Sequence, residues 1–233
     1  MAEVPVYRTP WALAELLAAY AEAWREVLGG EPSRAALAIL AGQATLECGH
    51  GGSSCWNYNT GNVMALGPYA GDYHVLRGAP ECFPEGKVPA GWRIVESSVA
   101  CGPGKVSAVP VAGSRFRAYA TFREGCADKL RVLDRQWGRA IVALQAATGV
   151  EATAAFVEGL LGPPKYFSSS PAAYTRSVLD LAQRLERAVT EADWPTIPAP
   201  PEPAAHWTDA RPLEVPQAVD VAAQIAKELE GIT

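Results

Sequence analysis

Glu47 is a residue whose type and place could do chemistry. Leu37, Leu40, Ala44 and Glu47 recur at spacings of three, four and three, as on one face of a helix. Gly49-His50-Gly51-Gly52 stops that pattern just beyond. The carboxyl is therefore expected on the apolar stripe, in the helix's last turn. There it meets the negative end of the helix dipole and loses hydration, and both effects favour the protonated form. A glutamic acid kept protonated near neutral pH is a general acid. The competing reading is a surface glutamate that ends the helix badly, at a cost of a few tenths of a kcal/mol or more.

Cysteines fall at Cys48, Cys55, Cys82, Cys101 and Cys126. Their odd number leaves at least one unpaired or pairing between chains. None sits in a CxxC, and His50 alone near Cys48 and Cys55 does not supply the paired spacing of a zinc site, so neither a metal nor a cofactor is expected. Cys82 and Cys101 either form a disulfide that clips a loop-rich segment, which needs an oxidising compartment, or are two reduced core thiols.

The elements that must position these groups are mostly helical. Leu13, Leu17, Tyr20, Trp24 and Leu28 predict a helix from about Pro10 to Leu28, stopped by Gly29-Gly30. Ser33 is a good N-cap for the helix that carries Glu47. From Ser53 to Ser114 the helical period gives way to glycine, proline, asparagine and short β-branched stretches, read as a loop-and-hairpin lobe. Within it Trp92, Ile94 and Glu96 alternate as on a strand, Gly102-Pro103-Gly104 turns, and Val106 to Val111 returns antiparallel. Helices resume near Thr121 with Cys126, Leu130, Leu133 and Trp137 on one face, and continue through Ile141 and Leu144. A shorter helix covers about Ala152 to Leu161. The last core helix has Ser170 as cap, Pro171 at its first position, and Tyr174, Val178, Leu181, Leu185 and Val189 down its inner face. Seven prolines between Pro195 and Pro216 read as an extended linker or arm. Val215 to Leu229 has weak helical spacing that suits docking on the domain, self-association or a partner.

Composition narrows the function classes. The chain has 233 residues, 49% of them hydrophobic and seven of them tryptophan, ample for a sizeable core, which excludes disorder as the main state. With 20 Lys+Arg against 25 Asp+Glu and no basic block, a phosphate-neutralising surface for nucleic acid is not expected. The uncharged helical run that ends at Glu47 is about a dozen residues, short of the roughly 20 that span a bilayer, so no membrane insertion is expected. Met1-Ala2-Glu3-Val4-Pro5 opens no basic-then-apolar leader, so a protein made in the cytoplasm is expected.

Four ordered stretches carry a resemblance. Gln43-Ala44-Thr45-Leu46-Glu47-Cys48-Gly49-His50-Gly51-Gly52-Ser53 resembles the helix-end signature E-S-G-x-G-x-S of bacterial and phage peptidoglycan glucosaminidases, glycoside hydrolase family 73, with Cys48 in place of the usual serine. Trp56 to Ala65 looks like that family's asparagine-rich N-N-x-F-G-I-K loop, departing from it as N-x-x-G-N-V from Asn59. Phe116 to Asp128 is similar to F-R-x-Y-x-S-x-x-E-S-x-x-D. Tyr166 to Tyr174 looks like a lengthened Y-A-T-D-P-x-Y. Together they cover roughly Leu37 to Leu185.

The resemblance implies an α+β, mainly helical, lysozyme-like fold. Its domain would span residues 1–194 with the hairpin lobe at about 53–114, then a proline-rich linker at 195–216 and a short helix at 217–233. It implies Glu47 as the general acid, and a second carboxylate in the lobe. Val95-Glu96-Ser97-Ser98 matches that second position best, while Glu81 and Glu85 compete; for all three the bland alternative is a solvated loop acid. Tyr174 matches the position whose hydroxyl lies near the catalytic glutamate, against the alternative of a packed core tyrosine. Asn59 and Asn62 are candidates to bind acetamido or hydroxyl groups, and Trp56, Tyr58 and Tyr119 to stack on sugar faces; an asparagine-rich turn is also simply a good turn.

The implied function is hydrolysis of the β-1,4 glycan strands of peptidoglycan, first as an endo-β-N-acetylglucosaminidase. A muramidase or lytic transglycosylase of the same fold, with Glu47 working alone, is the alternative. A further one is a non-catalytic wall-binding component of a phage or injection particle. A wall substrate without a leader implies release or injection, as for a phage endolysin, a virion component or a secreted effector.

Overall fold

The structure is a computed structural model that describes residues 2–65, 69–76, 81–95, 101–162, 166, 167 and 170–189. Glu96, the proline-rich linker and the terminal segment lie outside the described residues. The fold is α+β and mainly helical, and it divides into two units. One contains residues 8–63 and 119–189 and holds the helices; the other contains residues 2–7 and 64–118 and holds the strands.

In the helical unit, α1 (Leu13–Val27) and α2 (Arg34–Cys48) follow the predicted apolar spacing. Ser33 caps α2 by accepting from the Ala36 amide at 3.1 Å. Every residue of α2 from Ala35 to Thr45 is buried, so this helix is the centre of the unit. Burying a Leu or Ile side chain such as Ile39 or Leu40 contributes about 1.5–3 kcal/mol.

Thr121 caps α3 (Phe122–Gln136) by accepting from Glu124 N, while Glu124 Oε2 takes the Ala120 amide. The helical stretch expected from near Thr121 through Leu144 is made of two helices. Trp137 leaves helical geometry at φ −136°, ψ 51°, and α4 (Gly138–Gln145) starts after it. The apolar period survives the break because Trp137, Ile141 and Leu144 are all buried. Then come α5 (Thr153–Gly159) and α6 (Pro171–Ala188), the latter capped by Ser170 Oγ, which accepts from Ala173 N.

The inner face of α6 is Tyr174, Val178, Ala182 and Leu185, with Ala182 buried where Leu181 was expected and Leu181 only half-buried. The reason lies on α2. A Cβ at Gly42 would sit 2.9 Å from Ala182 N and 3.0 Å from Val178 O, so the two backbones meet at a site with room only for small residues.

The strand unit contains two small antiparallel sheets. β1 (Tyr73–Leu76) pairs with β5 (Ser114–Arg117), Tyr73 opposite Arg117. β2 (Glu81–Pro84) and β3 (Trp92–Ile94) flank β4 (Lys105–Pro110). The hairpin expected from Trp92 back along Val106 to Val111 is thus present, with β2 added on the other edge of β4. Cys82 and Cys101 form a disulfide.

Candidate functional site

Glu47 lies one residue before the end of α2 and is half-buried. The helix ends because Gly49 takes φ +74°, a left-handed conformation that costs a glycine little. The last carbonyls of α2 find partners in the following loop. Cys48 O accepts from Ser54 N at 2.7 Å, and Glu47 O accepts from Asn62 Nδ2 at 2.7 Å. The asparagine-rich loop therefore caps the helix that carries the candidate acid.

Tyr174 Oη donates to Glu47 Oε1 at 2.9 Å, and Gln43 Nε2 donates to Tyr174 Oη at 3.1 Å. Gln43 and Glu47 are four residues apart, so α2 presents both to the same point. The close approach at Gly42 brings the first turn of α6 to that point. Tyr174 is further fixed by Phe167, whose ring stacks on it at 4.0 Å and 5°. Burial pushes the Tyr174 hydroxyl up, and the Glu47 charge adds to the effect, so it is a donor and not a phenolate.

Burial likewise pushes the Glu47 carboxyl above the usual carboxylate range. The Tyr174 hydrogen bond, the Lys129 charge and the Asn62 amide oppose that rise without cancelling it. A half-buried carboxyl that is easier than usual to keep protonated, held by a tyrosine hydroxyl, can give a proton to a leaving group.

Asn59 is buried, and its amide closes a turn: Nδ2 donates to Val63 O at 2.9 Å while Oδ1 accepts from Val63 N at 2.8 Å. Tyr119 is also buried, its hydroxyl donating to Asp128 Oδ2 at 2.6 Å. Both are committed to holding the loop and α3. Asn62, at φ +48°, is half-buried beside Glu47. Trp56 and Tyr58 are half-buried, Trp56 with the Arg8 guanidinium 5.6 Å over its ring and Tyr58 edge-on to Phe122 at 4.7 Å. In the strand unit Glu81 and Glu85 are both exposed.

Sequence reasoning missed Gln43 as a tyrosine partner, Gly42 as the contact that admits α6, and Lys129. Lys129 is a lysine with 1% exposure whose Nζ donates to Tyr20 Oη at 3.0 Å. Its one sequence signal is position: it falls on the buried side of α3, three residues after Cys126. Cys48, Cys55 and Cys126 remain thiols and are buried. Among the described residues no group of three His, Cys, Asp or Glu side chains is arranged to hold a metal ion, and no helix is long and apolar enough to cross a membrane.

The sequence matches no protein-family model and no curated protein sequence. Among solved structures the chain is similar to the glycoside hydrolase domain of Salmonella typhimurium FlgJ, at 19% identity and a TM-score of 0.45, covering 76% of this chain and 87% of that one. A C-terminally truncated form of that domain matches at 18% identity and a TM-score of 0.46, covering 76% of this chain and 97% of that one.

Proposed function

We propose that this protein cleaves the glycan strands of peptidoglycan as an endo-β-N-acetylglucosaminidase, with Glu47 as general acid and Tyr174 as the hydroxyl that orients it. The observation that carries the reading is the 2.9 Å hydrogen bond from Tyr174 Oη to Glu47 Oε1. It joins two residues that are 127 positions apart, each lying in a segment that resembles the same family of wall hydrolases.

The chemistry follows from what a glycosidic bond needs. The leaving oxygen must receive a proton, which Glu47 can supply, while positive charge grows at the anomeric carbon. In this reading Glu96 meets that charge or activates a water. Asn62, Trp56 and Tyr58, half-buried and on the loop that caps α2, are the sugar-contacting candidates, whereas Asn59 and Tyr119 act by fixing that loop.

The alternative is a muramidase or lytic transglycosylase, in which Glu47 works alone. Replacing Glu96 with Gln separates the two: a hydrolase that relies on it loses most of its rate, and a one-carboxylate enzyme loses little.

The direct test is mass spectrometry of peptidoglycan digested by the protein, with borohydride reduction of the new ends. Reduced glucosamine supports the proposal. Reduced muramic acid or an anhydro end replaces it with the alternative, and intact strands overturn both.

A further inference from the structure

Lys129 has no place in the proton transfer just described, yet it is the most buried charged side chain among the described residues. Its surroundings are built to hold it. The stem runs beneath the turn that caps α2: a Cβ on Gly61 would lie 2.8 Å from Lys129 Cδ and 3.2 Å from its Cγ, so a side chain at residue 61 would push the stem aside. One turn earlier on α3, a Cβ on Gly125 would lie 2.0 Å from Tyr58 O. The Gly125–Lys129 face of α3 is therefore pressed against the loop from Tyr58 to Asn62. Tyr166 Oη donates to Gly61 O at 3.2 Å and pins the same turn. Asn62, the next residue, holds the end of α2 at Glu47 O. At its tip, Lys129 Nζ donates to Tyr20 Oη, which in turn donates a hydrogen bond to Thr60 Oγ1 at 3.3 Å.

A buried ammonium costs several kcal/mol unless an opposite charge answers it. The titratable groups around Lys129 are Tyr20 from α1, Glu47 and Cys48 from α2, Cys55 from the following loop and Cys126 from α3 itself, while Tyr166 ahead of α6 and Tyr174 on it face Glu47. Burial pushes Tyr20, Tyr166 and Tyr174 far above neutrality, and the thiol of Cys126 up to about 12. The thiol of Cys48 is pushed up by its hydrogen bond with Cys55 and by burial. Burial pushes the Lys129 amine down from the usual lysine range, and the largest influence opposing this is the charge of Glu47, the one carboxyl group among these neighbours.

We propose that Lys129 is a positioning residue for Glu47: an ammonium locked in the core beneath the Thr60–Asn62 turn that serves as the fixed counter-charge of the carboxyl at the end of α2. It works against the desolvation of Glu47 and keeps the acid able to return to its ionised form after each proton transfer. The effect on rate rests on the reading of Glu47 as the general acid, but the electrostatic coupling does not.

The test is NMR titration of the full chain carrying 13C-labelled glutamate and lysine, with Glu47→Gln used to assign the Glu47 signal. In Lys129→Met, which keeps the length of the stem, the Glu47 midpoint should rise by about one pH unit, a tenfold change in its proton affinity. Coupling between two sites is reciprocal. In Glu47→Gln the Lys129 midpoint should therefore fall by a comparable amount. That second measurement stands if Lys129→Met does not fold. Midpoints that stay within about 0.2 unit in the variants that fold overturn the proposal. Peptidoglycan cleavage by Lys129→Met supplies a separate reading: its alkaline limb should move up with the Glu47 midpoint. If the midpoints move and the limb does not, the role of Glu47 as acid fails while the coupling holds.

Discussion

The end of α2 and the β2–β4–β3 sheet handle polar groups in opposite ways. At the end of α2, Glu47, Tyr174, Gln43, Asn62 and Lys129 are buried or half-buried, and each has a named hydrogen-bond or charge partner. In the sheet, β2 and β3 show only exposed or half-buried residues, Ile94 is 60% exposed, and the buried members of β4 are Ser107, Ala108 and Val109. With little apolar area to bury, that sheet takes a covalent tie, Cys82 to Cys101, 19 residues apart. A polar network holds its geometry when the groups around it are buried and leave few alternatives. A thin sheet holds its geometry when its unfolded state is restricted by a cross-link. Proton chemistry belongs in the first setting.

The strongest way to break this comparison is Glu47→Gln. The amide keeps size and hydrogen bonding but has no transferable proton, so wall cleavage should fall by about three orders of magnitude, roughly 4 kcal/mol of transition-state stabilisation, in a folded protein. Activity within about tenfold of the parent would move the chemistry away from α2.

Replacing both Cys82 and Cys101 with Ser should sharpen it. Opening a loop of this length costs about 3 kcal/mol in the chain-entropy picture. The loss should register as faster amide exchange in β2, β3 and β4, with α2 protected as before. Equal loss of protection in α2 would show that the two regions do not differ in what stabilises them.

Gly125→Ala places a methyl 2.0 Å from Tyr58 O, a backbone atom that cannot swing aside. About 2–3 kcal/mol of stability should be lost in denaturant unfolding. Gly138→Ala is the control, since nothing lies within 4 Å of its Cβ position, and it should be neutral or slightly stabilising. Comparable losses at both positions would remove the argument that α3 is pressed against the loop.

Tyr174→Phe takes away one hydroxyl, leaves the ring on Phe167, and strands the Gln43 amide. Cleavage should drop about tenfold to thirtyfold, with about 1–2 kcal/mol of stability. An unchanged rate with the same stability loss would make Tyr174 a core tyrosine only.

The smallest effect is on stability against pH. The folded pKa of Glu47 is raised, so between the usual carboxylate range and that raised value the native state binds more protons than the unfolded one. The parent should therefore lose stability as pH rises through this window, and Glu47→Gln should lack that slope. Parallel melting temperatures of the two proteins across it would show that Glu47 is not desolvated.

Much of the helical unit is legible in the residues. The spacing of Leu37, Leu40 and Ala44, Ser33 as cap and Gly49 as stop place Glu47 at a helix end, and Ser170-Pro171 places Tyr174 in a first turn facing inward. These are local consequences of a 3.6-residue period, capping and left-handed glycine, which need no partner segment. The return of β4 along β3 is legible for the same kind of reason, through alternation and a Gly-Pro-Gly turn. The break at Trp137 is not, because the apolar face runs through it and the change of direction lies in two backbone angles. Nor does the spacing reveal β2, whose pairing on the far edge of β4 depends on a segment more than twenty residues away.

The sequence by itself therefore determined which residues could act: a carboxyl at a helix end, a tyrosine at a helix start, an asparagine loop and a cysteine pair able to close. Tertiary structure decided which of them meet. Gly42 lets α6 approach α2, so that Tyr174 reaches Gln43 and Glu47 across 127 residues of chain. Packing of α3 against the loop turns Asn59 and Tyr119 inward and carries Lys129 into the core behind the carboxyl. Such contacts arise between segments distant in sequence, where the spacing of residues along one element carries no information about what the next element will bring against it.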